Sequence, residues 1–337
     1  MSVMLNRLFD HSTLSRDEAK QLLTDIANEA FTTAQTTAIM TAYNMRSVDV
    51  QELAGFRDAM LQLATPVNLG THDVIDLCGT GGDGKNTFNI STLASFVVAA
   101  CGIQVAKHGN YGVSSVSGSS NVLEALGYRF TNNEEQLKRE LNDAGITILH
   151  APLFHPAMAR VAPIRKELGV KTFFNMLGPL VNPARPAYQS VGVFSMQLAR
   201  SYGYLLQDDV IQGQRKSYSI LHAHDGYDEV SLTGPVRVIT DRGVRDLSAG
   251  SFGSKLLNQQ EIYGGGTIEE AARIFRQVLA GQGTDAQNAV VCANAAVAMD
   301  TVERGGVNHA YAKGITALTS GAAQECFDRL LLVNAAG

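Results

Sequence analysis

Residues 74–92 read VIDLCGTGGDGKNTFNIST, and residues 107–120 read KHGNYGVSSVSGSS. The first stretch opens with an apolar run, residues 74–78, which has the length of a buried strand. Four glycines follow within six positions, and residues 93–101 then show the pattern of a buried helix. Glycines let a backbone approach a ligand closely, and free N–H groups at a helix N-terminus favour an anion. The pattern therefore predicts a phosphate-binding loop.

The glycines of residues 79–84 also satisfy the dinucleotide-binding pattern G-x-G-x-x-G. That interpretation requires an acidic residue roughly 20 positions further on, to bind the ribose hydroxyls. The next predicted strand, residues 103–106, is followed by Lys107 instead, so the pattern does not favour NAD binding. A nucleotide P-loop is also rejected, because Lys85 follows the last glycine without the spacing that this motif needs. A glycine turn without a ligand is the remaining alternative.

The second loop argues against a turn without a ligand. It begins with the cation Lys107, and five serines lie beside glycines between positions 114 and 120. Apolar segments at residues 103–106 and 122–126 enclose this loop, which is unusual for a surface linker. Two such loops, each after a predicted strand, predict a binding site for a phosphorylated substrate.

At these residues the chain resembles the anthranilate phosphoribosyltransferase family, whose pattern is GTGGDG, then NxST, then KHGN with later serines. Arg165, FNMLGPLVNP at residues 174–183 and the pair Asp228–Glu229 extend the resemblance over nearly the whole chain. The resemblance implies transfer of a phosphoribosyl group from phosphoribosyl pyrophosphate to anthranilate, with release of pyrophosphate, in tryptophan biosynthesis. It also implies Mg²⁺ as the cofactor. Tyr111 is a departure, because many members of the family have arginine there.

The resemblance also implies which residues form the site. The implied substrate-binding residues are Gly79, Gly82, Asp83, Thr87, Asn89, Ile90, Ser91, Thr92, Lys107, His108, Gly109, Asn110, Tyr111, Gly112, Val113, Ser114, Ser115, Ser119 and Arg165. Ser91, Asp228 and Glu229 are the implied Mg²⁺ ligands, since this ion prefers oxygen donors completed by phosphates. Arg165 is expected to bind the anthranilate carboxylate, because its guanidinium suits two oxygens. No catalytic side chain is assigned, since departure of pyrophosphate requires charge stabilisation and positioning.

The chain is predicted to have two domains. Residues 1–70 show only helical patterns and predict a small all-helical domain, and the resemblance implies that residues 160–189 rejoin it and that it mediates a homodimer. From residue 71 onward strands and helices alternate, which predicts an α/β domain with a central mixed or parallel sheet. This larger domain is expected over residues 71–159 and 190–337. The combination is similar to nucleoside phosphorylases and phosphoribosyltransferases.

The middle of the chain carries two further expectations. Residues 158–189 are predicted to be helical, and residues 191–194 are predicted to form the next strand. His150 and His155 have a spacing that suggests a metal, but the sequence nearby supplies no third ligand. Both histidines are therefore interpreted as satisfied or pocket-lining side chains.

Composition limits the alternatives. The chain has 337 residues, of which 45% are hydrophobic and 18% charged, as in ordinary globular enzymes. Its net charge of −5 argues against a nucleic-acid-binding paralogue without catalysis, which is one alternative. A pyrimidine-nucleoside phosphorylase, using inorganic phosphate, is the other. The four cysteines lack metal-ligand spacing, and no signal peptide or apolar run of ~18 residues is visible, so a cytoplasmic location is expected.

Overall fold

The computed structural model describes residues 2–112 and 117–336, except for the side chains of residues 2 and 3. Within these residues the helices are α1 (Ser2–Phe9), α2 (Arg16–Ala27), α3 (Thr33–Asn44), α4 (Val50–Leu63), α5 (Ile90–Ala100), α6 (Ser119–Ala125), α7 (Glu134–Ala144), α8 (Ala151–Phe154), α9 (Pro156–Leu168), α10 (Met196–Ile211), α11 (Ile268–Leu279), α12 (Asp285–Glu303), α13 (Val307–Thr319) and α14 (Ala322–Ala335). The strands are β1 (Ile75–Gly79), β2 (Val105–Gly109), β3 (Ile146–His150), β4 (Tyr188–Gly192), β5 (Ser217–Ala223), β6 (Val236–Thr240) and β7 (Gly243–Leu247). No helix in the described part of the chain is long and apolar enough to span a bilayer.

The chain forms two compact units, and their architectures confirm the predicted fold class. One unit comprises Met1–Pro66 and Ala151–Pro183 and is helical, whereas the other comprises Val67–His150 and Ala184–Gly337 and contains the sheet. In the helical unit, α9 packs against α2, α3 and α4. Capping boxes at Ser15, Thr32 and Asp49 start α2, α3 and α4, because each side chain satisfies a free N–H of the first turn.

The larger unit is built on a seven-stranded sheet with the order β3-β2-β1-β4-β5-β6-β7. The strands β1 to β5 are parallel, and β6 and β7 add an antiparallel hairpin at one edge. The chain extends from β1 in one direction through β2 and β3, and then returns to the other side of β1 with β4. Ligands of open α/β sheets bind at such a switch point, outside the carboxyl ends of the strands.

Apolar helices cover this sheet. The helix α5 packs against β1, β2 and β3, and α12 packs against β1, β4, β5 and α5. Residues 290–301 of α12 are all buried, which agrees with their almost continuous run of alanine, valine and methionine. A helix that is apolar on every side is stable only in such a core. The loops that follow β1 and β5 are therefore anchored to a closely packed core.

Asn334, a buried side chain of α14, links this last helix to the rest of the larger unit. The amide Nδ2 of Asn334 donates to Oε1 of Glu140 at 2.9 Å and to the carbonyl of Arg129 at 2.9 Å. Its Oδ1 accepts from the N–H of Arg129 at 2.9 Å. Glu140 on α7 also accepts from the hydroxyls of Tyr128 and Thr147, each at 2.8 Å. The buried carboxyl of Glu140 is thus satisfied by groups from three places in the chain.

The prediction of helix through residues 158–189 is wrong beyond Leu168. The helix α9 ends there because Gly169 adopts a left-handed conformation, with φ of +63°, which closes the helix C-terminus. Short 3-10 turns follow at Phe173–Met176 and Gly178–Leu180, where prolines prevent a continuous helix. The next strand, β4, begins at Tyr188 and not at residue 191, because residues 188–190 pair with both β1 and β5.

Candidate functional site

Two glycines face each other at the carboxyl ends of β1 and β4, where Gly79 pairs with Gly192. A Cβ atom at Gly79 would stand 2.6 Å from Oδ2 of Asp228, and one at Gly192 would overlap the carbonyl oxygen of Asp228. The loop after β5 therefore reaches the switch point only because neither position has a side chain. This pairing brings the predicted acid pair into the predicted glycine loop.

Asp228 is held at the start of the glycine loop. Its Oδ2 accepts from the N–H of Gly81 at 2.8 Å. Gly81 and Gly82 have φ of +61° and +75°, a conformation that favours glycine, so the loop curls around the carboxylate. Burial and the nearby Asp83 raise the pKa of Asp228 to about 7. A buried carboxyl beside a second acid disfavours its own charged form.

Glu229 points to the start of α5. Its Oε1 accepts from the N–H of Ser91 at 3.0 Å, which satisfies one free donor of that helix N-terminus. Burial and the charge of Asp228 raise the pKa of Glu229 well above its usual range. Its other oxygen, Oε2, is buried without a hydrogen-bond partner. An orphaned carboxylate oxygen between two further acids is a fitting donor for a divalent cation.

The described residues contain no cluster of three or more His, Cys, Asp or Glu side chains arranged to enclose a metal. The acids of the loop would therefore supply only part of a coordination shell. Mg²⁺ is commonly held in this way, by one or two carboxylates together with phosphate oxygens and water. The donor set therefore fits a cation that arrives with a phosphorylated ligand.

The helix α5 joins the two predicted loops. It begins at Ile90, and Asn89 occupies its N-cap without capping it through its side chain. Instead, Nδ2 of Asn89 donates to the carbonyl of Ser117 at 3.0 Å, beside the second loop. Ser91 and Thr92 lie in the first turn, because α5 begins three residues before the predicted helix at residue 93. The helix start thus holds the glycine loop, the acid pair and the second loop in one place.

Lys107 lies beneath the loops, with only 2% of its surface exposed. It belongs to β2, and its Nζ donates to the carbonyl of Leu77 in β1 at 2.5 Å. Burial lowers the pKa of Lys107, while the neighbouring Asp76, Cys78 and Glu229 favour its charged form. Asp76 in turn accepts from the N–H of His108 at 3.1 Å. The positive charge of Lys107, inside the sheet, thus offsets part of the negative charge of Asp228 and Glu229.

The second loop begins where β2 ends at Gly109. A Cβ atom at Gly109 would stand 2.5 Å from Oγ of Ser119, so strand and α6 meet closely there. The carbonyl of Asn110 accepts from Oγ of Ser119 at 3.3 Å, and the N–H of Gly112 donates to Oδ1 of Asn121 at 2.9 Å. The predicted residues Val113, Ser114 and Ser115 lie outside the described residues.

Thr87 lies on the other side of the glycine loop, where it bridges to Tyr263. Nδ2 of Asn86 donates to the carbonyl of Gly265 at 2.7 Å, and the N–H of Gly264 donates to the carbonyl of Asn86 at 2.8 Å. The segment 264–266 is thus hydrogen-bonded to the glycine loop at Asn86. A cavity of about 440 Å³ opens beside it, lined by Gly84, Lys85, Asn86, Thr87, Tyr227, Gln259, Gln260, Ile262 and Tyr263.

Arg165 belongs to the helical unit, on α9. Its guanidinium donates to Oδ1 of Asn175 at 3.2 Å and lies 5.6 Å from the ring centre of Phe174. Both partners belong to the FNMLGPLVNP motif. Burial lowers the pKa of Arg165, and the described residues supply no carboxylate within ion-pair distance. The guanidinium is therefore oriented by neutral groups, with its charge available to an acidic ligand.

Two residues of this site were missed by sequence reasoning. Gly192 ends β4 but was only the second residue of the predicted strand 191–194, and a glycine within a strand pattern was its only signal. Asn294 is a polar residue within the apolar run of α12; its Nδ2 donates to the carbonyl of Val230 and its Oδ1 accepts from the N–H of Val230, both at 2.9 Å. These two bonds fix the backbone directly after Glu229.

Comparisons with known proteins agree on one family. The profile described as glycosyl transferase family, a/b domain, matches residues 71–324, and that described as glycosyl transferase family, helical bundle domain, matches residues 3–64. Anthranilate phosphoribosyltransferase from Flavobacterium psychrophilum is 57% identical over 302 residues, covering 90% of each chain. The enzyme of the same name from Christiangramia forsetii is 52% identical over 330 residues, covering 98% of each chain.

Solved structures give the same result. The crystal structure of anthranilate phosphoribosyltransferase from Thermus thermophilus superposes with a TM-score of 0.90 at 32% identity, covering 98% of this chain and 99% of that one. The enzyme from Saccharomyces cerevisiae, in complex with phosphoribosyl pyrophosphate and Mg, superposes with a TM-score of 0.90 at 26% identity. That comparison covers 99% of this chain and 97% of the yeast chain.

Proposed function

Since the chain belongs to the anthranilate phosphoribosyltransferase family, we propose how its residues divide the work of that reaction. The enzyme transfers the phosphoribosyl group of phosphoribosyl pyrophosphate to the amine of anthranilate and releases pyrophosphate. The product, N-(5-phosphoribosyl)anthranilate, belongs to tryptophan biosynthesis. The observation that carries the assignment is the meeting of Gly79, Gly192 and Asp228 at the sheet's switch point, which joins a phosphate loop to an acid pair.

Asp228 and Glu229, with Ser91, are proposed to hold Mg²⁺. The unpartnered Oε2 of Glu229 and the raised pKa values of both acids support this, because a cation would relieve their mutual repulsion. When bound, the ion supplies positive charge to the pyrophosphate oxygens. The assignment of these three ligands is based on the side chains of this chain. The enzyme from Saccharomyces cerevisiae is described in complex with Mg, which supports the identity of the ion.

The loop residues are proposed to bind the ribose and its phosphates through N–H and hydroxyl donors. This set comprises Gly79, Gly82, Asp83, Thr87, Asn89, Ile90, Ser91, Thr92, Lys107, Gly109, Gly112, Val113, Ser114, Ser115 and Ser119. The ribose carbon gains positive character as pyrophosphate departs, so the chain's task is to position the partners and stabilise leaving-group charge. Lys107 is buried below the loops, and its positive charge makes the electrostatic potential at the loops more favourable for phosphate.

His108, Asn110, Tyr111 and Arg165 are proposed to form the anthranilate site, either by contact with anthranilate or by holding a residue that makes it. The aromatic amine is neutral near pH 7 and needs no strong base before it attacks. Arg165 is proposed as the carboxylate partner, because its charge is oriented by Asn175 and Phe174 without a carboxylate from the described residues. No nucleophilic side chain is required.

The direct test follows anthranilate fluorescence during incubation with phosphoribosyl pyrophosphate and Mg²⁺. The signal should fall only when both are present, and pyrophosphate should appear in equal amount. Conversion of thymidine with inorganic phosphate would favour a pyrimidine-nucleoside phosphorylase instead. Salt-dependent retention of DNA without turnover would favour a nucleic-acid-binding paralogue.

Arg165→Ala should raise the KM for anthranilate by about 10- to 150-fold, because a charge-assisted hydrogen bond contributes about 1.5–3 kcal/mol. The KM for phosphoribosyl pyrophosphate should change far less. Steady-state kinetics with each substrate varied separately measures both constants. Arg160→Ala is the matched control, since Arg160 lies on the same helix and pairs with exposed Glu29 at 3.5 Å. Equal losses for both substrates would contradict the assignment.

Asn294→Ala should weaken the response to Mg²⁺, because it removes both hydrogen bonds that fix Val230 after the acid pair. Each backbone group left buried and unpaired costs about 1–3 kcal/mol, so Tm should fall as well. Titration of activity with Mg²⁺ should show half-activation at a higher concentration. Cys292→Ala, a truncation on the same helix, should lower Tm without moving the Mg²⁺ midpoint; an equal shift in both variants would remove Asn294 from the site.

We propose further that the helical unit is the domain through which a homodimer assembles, and that the sheet unit binds phosphoribosyl pyrophosphate. The helical unit comprises Met1–Pro66 and Ala151–Pro183, which differs by a few residues from the expected 1–70 with 160–189; the sheet unit differs correspondingly from the expected 71–159 with 190–337. The helical bundle profile over residues 3–64 supports the first part. A cytoplasmic location is proposed too, and the four cysteines, all free thiols, are compatible with it. Sedimentation of the purified protein tests the dimer.

A further inference from the structure

Tyr111 is an exposed residue whose ring is nevertheless fixed. About 40% of its surface is exposed. Its ring meets the imidazole of His150 edge-on, with centroids 4.9 Å apart and an interplanar angle of 80°. The other side of that imidazole stacks on Phe130, with centroids 4.3 Å apart. Such edge-on and stacked pairs are the favoured geometries of aromatic rings.

His150 is itself held in one orientation. Its Nδ1 shares a hydrogen bond of 2.9 Å with Oγ of Ser120, on α6. Burial lowers the pKa of His150 to about 4, so the imidazole is neutral near pH 7 and behaves as an aromatic ring. The platform under Tyr111 therefore consists of the end of β3, the start of α6 and Phe130, all parts of the packed sheet unit.

The hydroxyl of Tyr111 lies near a second group, the carboxylate of Glu124 on α6. Partial burial and that carboxylate raise the pKa of Tyr111. The N–H of Tyr111 donates to Oδ1 of Asn110 at 2.8 Å, and Gly112 is tied to Asn121 at 2.9 Å. Ring, hydroxyl and backbone thus fix the chain at positions 110–112 from three directions.

We propose that Tyr111 is a positioning residue for the acceptor loop, defined here as residues 108–112: its ring packed on His150, with its hydroxyl near Glu124, holds Asn110 ready for anthranilate. The inference rests on the proposed function. Ordering a loop on binding costs affinity, and a loop that is already ordered avoids this cost. Tyr111 therefore acts on acceptor binding and not on the pyrophosphate end of the reaction.

The test compares Tyr111→Ala, Tyr111→Phe and the exposed control Tyr204→Ala, with both substrates varied. Tyr111→Ala should raise the KM for anthranilate by about 5- to 100-fold, from the loss of the aromatic pair with His150 and of the polar contact of its hydroxyl. Tyr111→Phe retains the ring and should raise it by only about 2- to 10-fold. The kcat and the KM for phosphoribosyl pyrophosphate should stay within about 2-fold in all variants.

A double-mutant cycle isolates the hydroxyl contact. Glu124→Gln added to Tyr111→Phe should cost less than the sum of the two single effects, because both remove one interaction. Three results would overturn this inference and leave the proposed function intact. They are full additivity of the Tyr111→Phe and Glu124→Gln effects, an unchanged KM for anthranilate in Tyr111→Ala, and equal rises in KM for both substrates. Absence of transfer activity in the unsubstituted protein would overturn the proposed function and this inference with it.

Discussion

Replacement of Asp228 by asparagine together with Glu229 by glutamine is expected to abolish Mg²⁺-dependent turnover and to raise the thermal stability of the protein. Turnover is lost because the two amides cannot hold the cation that the pyrophosphate requires. Stability rises because two partly buried acids that repel each other are removed, while the amide oxygens can still accept from Gly81 and Ser91. Function and stability are thus opposed at this site.

The pH dependence of the stability gain has a definite sign. The pKa of Asp228 is raised from 3.8 to about 7, so between these values the folded protein binds more protons than the unfolded chain. The stability that this group contributes is present below pH 3.8 and is lost as pH rises through about 7. At about 1.36 kcal/mol per pKa unit, the loss at pH 8 is on the order of a few kcal/mol. The variant should therefore gain most at pH 8.

Calorimetry without metal at pH 5 and pH 8, together with turnover at saturating Mg²⁺, measures both effects. An increase of roughly 2–8 °C in Tm is expected at pH 8, and a smaller one at pH 5. Asp246→Asn is the control, because Arg237 lowers the pKa of that exposed carboxyl and its removal should not stabilise the fold. Retained turnover, or a lower Tm at pH 8, would contradict the assignment.

Gly79→Ala should lower kcat/KM for phosphoribosyl pyrophosphate on the order of 100- to 1000-fold. The new methyl group would stand 2.6 Å from Oδ2 of Asp228, so the carboxylate must move away from its bond with Gly81. A displacement of about 1 Å in a site of this kind costs about 100-fold, and loss of the charge-assisted bond adds about 10-fold.

Two measurements separate displacement from unfolding. Calorimetric titration with the substrate and Mg²⁺ should show weaker binding, whereas circular dichroism should be unchanged. Gly250→Ala is the matched control, because a Cβ there meets only Oγ of Ser248, at an ordinary 3.6 Å. If Gly79→Ala binds the substrate as tightly as the unsubstituted protein, the carboxylate of Asp228 does not bind at this position.

The parts of the site that repeat a local pattern could be predicted from the sequence. The glycine loop, the start of α5 and the pair Asp228–Glu229 are each visible as a few adjacent residues after a strand. Their meeting depends on β4 lying beside β1, a choice of strand order that no local spacing records. Gly192 and Asn294 were missed for this reason, since their partners Asp228 and Val230 are distant in sequence.

The ends of helices and strands also divide into those set by neighbouring residues and those set by residues distant in sequence. The starts of α2, α3 and α4 depend on nearby residues alone, because each capping box is a pair of hydrogen bonds within the first turn. The start of β4 was predicted three residues late, because pairing with two neighbours extends a strand over residues without a strong pattern of their own. The burial of Lys107 was equally hidden, since a lysine after an apolar run resembles a loop cation until the strand register is known.

Asn334 has a consequence for how damage to one helix spreads through the sheet unit. Its side chain completes the hydrogen bonds of Glu140 and of the backbone at Arg129, and α14 packs against α7 and β3. If α14 frays or is clipped by a protease, these buried groups lose their partner, and each unpaired group costs about 1–3 kcal/mol. Local opening of α14 should therefore destabilise α7, which is about 200 residues away in sequence.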